Sequence, residues 1–222
     1  MNDPIDIRPY EGREYELHLL GFKRKMPLYR IKKDLWIAAN EHLSFGCDVE
    51  FTKRVAGELF KKLKKFKPDC LFSAEAKATA LTYELAKRFG HREYAIARKA
   101  LKENIKGYIS VSCKSISARN LGRLLLSKHY ADMIAHRRIA LIDDCISTGS
   151  TISSLINLAL LAKAKVVAIA SIWLEGAWPF EKFKDEIDSG SLIYLDTLPI
   201  FAKGKMYQYL LEQKKKIEAI LK

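Results

Sequence analysis

A chain of 222 residues with 49% hydrophobic content can bury one good core, which fits a single α/β domain with an appendage better than two independent domains. It has no run of about 18 apolar residues to cross a bilayer, and residues 1–10 are acidic and proline-containing rather than a basic, apolar export signal, so a cytoplasmic protein with no membrane partner is expected. The net charge of +13 points to anionic partners, either a small polyanionic substrate drawn into a basic cleft or nucleic acid.

Residues 17–39 alternate apolar and polar side chains, with turns expected at Pro27 and at Lys33-Asp34. From 48 to 67, Val49, Val55, Leu59, Phe60, Leu63 and Phe66 recur at helical spacing until Pro68 stops the helix. A short buried strand is expected over 69–72, a helix over 76–89 ended by Gly90, and a second strand over 94–97. Residues 108–111 and 123–126 form a pair around a polar loop, followed by a short helix over 130–136, a strand over 139–142, a helix over 150–163 and a strand over 166–174. Such a repeated β-α-β order implies a parallel sheet with helices on both faces. The chain then returns through 192–195 to an amphipathic helix over 206–221, with Tyr209, Leu210, Ile217 and Ile220 inward. A single domain over 1–222 results, its core at about 48–176 and its terminal segments 1–47 and 177–222 forming a small cap. Two lysine-rich runs, 61–67 (K-K-L-K-K-F-K) and 214–216, read as solvated faces of such helices or as contacts for RNA.

The most telling stretch is 139–151, I-A-L-I-D-D-C-I-S-T-G-S-T. Ile139, Leu141 and Ile142 suit a buried parallel strand, Gly149 lets the backbone approach an anion, and Ser147, Thr148, Ser150 and Thr151 supply hydroxyls ahead of a helix N-terminus. A Walker-type loop needs a lysine after its glycine, and none follows until Lys163. Asp143 and Asp144 can instead accept hydrogen bonds from the vicinal diol of a ribose. A helix cap needs only one acid and explains neither the glycine nor the hydroxyls. Cys47, Cys70, Cys113 and Cys145 are too irregularly spaced for a metal knuckle or a disulfide framework, so they read as free thiols; Cys145, with no histidine near it in sequence, reads as a small filler.

Ligands of open parallel sheets bind beyond the carboxyl ends of the strands, so the turns after the other strands matter. Ser73-Ala74-Glu75-Ala76-Lys77 opens a helix, either as an ordinary start capped by Ser73 or as a cradle of free N–H groups for pyrophosphate. Arg98-Lys99-Ala100-Leu101-Lys102 carries three cations spaced to surround one diphosphate, although basic surface turns are common.

On these residues the chain resembles the type I phosphoribosyltransferases, whose motif for 5-phosphoribosyl-1-pyrophosphate (PRPP) is an apolar strand, two acids and a T-G-containing phosphate loop. The resemblance spans roughly 48–176. It implies that Asp143 and Asp144 bind the ribose hydroxyls and that Ser147, Thr148, Gly149, Ser150 and Thr151 hold the 5′-phosphate. It also implies that Ala74, Glu75 and Lys77 belong to the pyrophosphate loop and that Arg98, Lys99 and Lys102 contact the pyrophosphate; the catalytic set is Asp143, Asp144, Arg98 and Lys102. Ser150 and Ala78 stand where members often have glycine. Segment 112–122 takes the place of the family's flexible closing loop, from which Lys114, Arg119 and Arg123 can reach the leaving group. Adenine-specific relatives often carry a glutamate in that loop, whereas this chain has no acid between Glu103 and Asp132.

The resemblance further implies Mg²⁺ entering with PRPP rather than on dedicated protein ligands, a purine base as co-substrate, and a homodimer. The base is expected at 173–178, W-L-E-G-A-W, where Glu175 reads its edge and Trp178 stacks, although Trp173 and Trp178 equally suit packing. Purine transfer comes first because E-A-K, R-K-x-x-K and D-D-x-x-S-T-G occur together, with L-P-I-F at 198–201 in support. Orotate transfer is the enzymatic alternative, although the first 50 residues lack the serine-glycine-rich base segment usual in orotate enzymes. A non-catalytic, PRPP-sensing, RNA-binding regulator is the third reading; the DNA-binding regulators of this fold add a winged-helix domain, for which the 47 residues before Asp48 are too few.

Overall fold

The computed structural model describes residues 4–44, 46–100, 105, 107–113 and 122–221. The chain begins with β1 (Ile7–Pro9), β2 (Glu14–Leu19), β3 (Phe22–Lys32), β4 (Leu35–Ala38) and a single turn, α1 (Glu41–Ser44). Helix α2 (Val49–Leu63) follows, capped by Asp48, whose carboxylate accepts a 3.1 Å hydrogen bond from the Phe51 N–H and also pairs with Arg24 of β3. Then come β5 (Cys70–Ala74), α3 (Thr79–Phe89), β6 (Ala95–Ala97), the antiparallel ribbon of β7 (Tyr108–Cys113) and β8 (Gly122–Ser127), and α4 (Lys128–Ile134). The chain continues through β9 (Arg138–Ile146), α5 (Ser150–Leu161), β10 (Lys165–Glu175), α6 (Trp178–Lys182) and α7 (Lys184–Asp188). It ends with β11 (Leu192–Ile193), β12 (Asp196–Leu198), β13 (Ile200–Ala202) and α8 (Gly204–Leu221).

The central sheet is parallel throughout, in the order β11-β10-β9-β5-β6, with β12 also beside β10. Alternation along its strands divides the core. Phe72, Ile139 and Leu141 face α5, where Ile152, Leu155 and Leu158 cover them. Leu71, Ala140 and Ile142 face α2 and α3, where Val55, Leu59, Leu81 and Leu85 cover them. This is the expected α/β architecture, and both faces are buried as parallel strands require.

The terminal segments build a second sheet in the order β1-β13-β4-β3-β2, so both chain ends contribute to the cap. Strand β3 runs straight through Pro27, which lies opposite Glu14 at the first residue of β2; the turn falls instead at Leu20-Gly21, while the turn at Lys33-Asp34 is where the sequence puts it. Helix α8 buries Leu210 and Ile217 only, leaving Tyr209 and Ile220 54% and 55% exposed. Its contact is one narrow stripe against β1, β13 and α6, too narrow to cover all four side chains expected inward. No helix among the described residues is long and apolar enough to cross a membrane.

Candidate active site

Beyond the carboxyl ends of β5 and β9 lies a cleft of about 200 Å³. Ala74, Glu75 and Lys77 form one wall, Lys99 approaches from the loop after β6, and Asp143, Asp144 and the whole run 147–151 form the floor and the opposite wall. Three loops separate in sequence thus meet because parallel strands discharge their turns on one side of the sheet. Cys113 and Leu124 of the ribbon add an apolar rim, and the Ser154 hydroxyl of α5 donates a 3.2 Å bond to the Ser112 carbonyl, fixing the ribbon beside the loop.

Strand β9 carries Asp143 and Asp144 out of the core and straight into the cleft. Burial and the neighbouring Asp144 push the Asp143 carboxyl well above the ordinary carboxylate range; burial raises Asp144 too, opposed by the Lys77 charge. Their like charges couple the two, while the Asp144 N–H donates a 2.9 Å bond to the Asp143 carboxylate that opposes its rise. Such a pair can share a proton and so offer a vicinal diol both acceptors and a donor.

The phosphate loop turns at Gly149, where φ is +70°, and α5 begins at the next residue. A β-carbon there would overlap the Phe183 ring, so glycine is required twice, by backbone conformation and by packing. From α6 the Lys182 ammonium donates a 3.4 Å bond to the Thr148 carbonyl. Helix α5 thereby points its N-terminal N–H groups and positive dipole end at the cleft.

Glu75 links the two remaining loops. Its carboxylate accepts a 2.5 Å bond from the Lys99 N–H and pairs with the Arg98 guanidinium at 2.5 Å. Lys99 therefore lines the cleft, whereas Arg98 is turned toward Glu75 and borders a neighbouring hollow. Lys102, Lys114 and Arg119 lie outside the described residues, and Arg123 of β8 bonds the Ser110 hydroxyl.

Glu175 and Trp178 do not line this cleft. Glu175 is only 3% exposed, and burial raises its carboxyl to about 7, with the Ser147 hydroxyl and the Lys77 charge opposing the shift. It thus sits behind the phosphate loop. Trp178 packs beside Ile200 and Met206, and Trp173 is wholly buried and stacked on Phe51. Asn40, which no sequence pattern marks, is brought by the terminal sheet to Asp144, to which its amide donates at 3.5 Å. Phe183 and Lys182 are likewise unmarked in sequence, since their role is to back a loop more than 30 residues earlier in the chain.

Neither protein-family models nor curated protein sequences give a match to the chain. Solved structures do. Adenine phosphoribosyltransferase from Thermoanaerobacter pseudethanolicus superposes with a TM-score of 0.61 at 19% identity, over 78% of this chain and 95% of that one. The chain has the phosphoribosyltransferase fold. The Saccharomyces cerevisiae adenine phosphoribosyltransferase, complexed with adenine and an imino-altritol bisphosphate, shares this fold at a TM-score of 0.57 and 12% identity over 77% and 93% of the two chains. So does the Trypanosoma brucei adenine phosphoribosyltransferase in complex with AMP, pyrophosphate and ribose-5-phosphate, at a TM-score of 0.55 and 18% identity over 73% and 69%.

Proposed function

We propose that the protein is a purine phosphoribosyltransferase, moving the phosphoribosyl group of PRPP to a purine base with release of pyrophosphate. The observation that carries this reading is the convergence on one cleft of a buried acid pair, a hydroxyl-rich loop at a helix N-terminus, and two lysines from separate loops. Those groups match a ribose diol, a 5′-phosphate and a pyrophosphate respectively. Purine as the base is supported by the adenine and AMP held by the structural neighbours.

In this reading Asp143 and Asp144 orient the ribose through its hydroxyls, and the loop 147–151 anchors the 5′-phosphate. A base nitrogen forms its bond to the anomeric carbon as the carbon–oxygen bond to pyrophosphate breaks, the electron pair leaving with the pyrophosphate. Lys77 and Lys99 neutralise that developing charge, with Arg98 and Lys102 assigned to the same task. Mg²⁺ is held in such sites by one or two carboxylates together with substrate phosphates. Asp143 and Asp144 are the carboxylates nearest to where such an ion would arrive with PRPP, beside their role on the ribose hydroxyls. When bound, it neutralises the pyrophosphate oxygens.

A homodimer belongs to the same reading. Light scattering at two protein concentrations tests it.

The transfer itself is tested by pyrophosphate release from PRPP and Mg²⁺ with adenine, hypoxanthine, guanine, xanthine, orotate or uracil supplied singly. Release with a purine is expected; release with orotate alone would make the enzyme an orotate transferase, and none with any base would remove the transferase reading.

A further inference from the structure

Six cations gather at the end of the central sheet away from the cleft. Lys64 and Lys67 leave the end of α2 just before β5, Arg137 and Arg138 start β9, and Lys163 and Lys165 start β10. Backbone hydrogen bonds hold these three segments side by side: Asp69 N–H to the Arg138 carbonyl at 2.7 Å, Lys165 N–H to the Arg137 carbonyl at 2.8 Å, and His136 N–H to the Lys163 carbonyl at 2.9 Å. Arg138 and Lys165 are direct neighbours in the sheet register. All six side chains are exposed, and among the described residues none of them forms an ion pair. The Asp69 carboxylate lies among them, but it accepts the Arg138 backbone N–H.

Because the strands are parallel, this patch is at the opposite end of the sheet from the cleft. Strand β9 has nine residues between Arg138 and Ile146, which at about 3.3 Å per residue separates the two ends by roughly 26 Å. That exceeds the Debye length of about 8 Å at physiological salt, so the patch does little to draw a small anion into the cleft. Six exposed cations around a single carboxylate, with the Arg138 guanidinium held on the Phe66 carbonyl, leave a net positive surface that suits a partner with closely spaced negative charge. We propose that this end of the sheet binds the phosphate backbone of a polynucleotide, without reading its bases. The cations lie on the turn that ends α2, on short loops and on strand starts rather than on a ribbon that could enter a groove, and long exposed basic side chains suit phosphate contacts. Leu160 and Leu161 are exposed nearby at the end of α5, but two leucines offer too small an apolar face for a membrane surface.

The proposal is independent of the transferase reading, and its test uses the full chain. Binding of a mixed-sequence single-stranded RNA and a duplex DNA, each of about 20 nucleotides per strand, is followed by fluorescence anisotropy from about 50 to 200 mM salt, with vesicles of an anionic phospholipid as a third probe. The triple variant Lys64→Ala, Arg137→Ala, Lys165→Ala takes one cation from each segment. A second triple variant, Lys205→Ala, Lys215→Ala, Lys216→Ala, removes the same charge from exposed positions on α8. A retained melting temperature and far-ultraviolet circular dichroism spectrum show that both fold. The wild type should bind both polynucleotides, the patch variant at least about 10-fold more weakly, with a salt slope on RNA shallower by about 2, and the α8 variant within about 3-fold of wild type. Comparable losses from both variants, no polynucleotide binding by the wild type at the lowest salt, or tighter binding to the vesicles would overturn the proposal.

Discussion

Asn40, at the end of the terminal sheet, donates its amide to the carboxylate of Asp144, 104 residues later on the central sheet. The bond is long, 3.5 Å, but both residues are buried, with Asn40 6% and Asp144 4% exposed, so water does not replace it freely. The cap is thereby part of the ribose site rather than a separate layer.

This contact gives the first prediction. Asn40→Ala should raise KM for PRPP about 3- to 10-fold, corresponding to one modest hydrogen bond, with a smaller effect on kcat. Asn40→Asp should be worse, because a third carboxyl beside a raised pair either repels it or takes a proton from the solvent to stay neutral. Steady-state kinetics of the two variants decides it; equal KM in both would show that the contact does not position Asp144.

Asp144→Asn keeps the shape of the side chain and removes its charge. Turnover of PRPP should fall about 10- to 100-fold, the scale of a lost charge-assisted hydrogen bond to the ribose. The fold should hold and gain on the wild type as pH rises above the ordinary carboxylate range, since burial raises this carboxyl and its ionisation works against folding. Kinetics alongside thermal melts checks both halves, and wild-type-like kinetics would remove Asp144 from the site.

How legible was this arrangement in the sequence? The floor of the cleft was readable because strand, acid pair, loop and helix follow one another within residues 139–151, so local pattern and tertiary placement coincide. The helices and parallel strands were readable for the same reason, their periods being set by faces that are buried. Asn40 and Phe183 were not, because what selects them is the end of a distant strand or the back of a distant loop, which leaves no periodic mark. Pro27 misled because a proline reads as a turn unless the register of the neighbouring strand is known, and Tyr209 and Ile220 misled because an amphipathic stripe does not reveal how wide its partner is.

Gly149 is the most constrained position in the phosphate loop. Alanine there adopts an unfavourable positive φ and drives its methyl into the Phe183 ring. Gly149→Ala should cost about 1–3 kcal/mol of stability and reduce ribose-5-phosphate affinity more than pyrophosphate affinity. Adding Phe183→Leu should recover the steric share but not the backbone share. Denaturant melts and calorimetric titration of the two anions separate these; full recovery in the double variant would show that backbone conformation contributes nothing.

Glu175 supplies a test of the charge behind the loop. Its folded-state carboxyl is raised from 4.5 to about 7, so the folded protein holds this proton more tightly than the unfolded chain does. An acid raised in this way costs nothing below about pH 4.5, and its penalty grows as pH climbs, reaching its full value above about 7. A difference of this size corresponds to about 3 kcal/mol, an upper bound because the unfolded chain retains some structure. Glu175→Gln removes the titration while keeping the side chain's size, so its stability relative to wild type should be near equal at pH 4.5 and should favour the variant increasingly up to about pH 8. The Ser147 hydroxyl beside it should then sit against a neutral neighbour at every pH, and ribose-5-phosphate affinity in the variant should lose the share of its pH dependence that comes from Glu175, keeping that of the phosphate and of the Asp143–Asp144 pair. Melts and titrations across that range check both, and a variant that tracks wild type at every pH would mean that Glu175 titrates in the folded protein as it does in the unfolded chain.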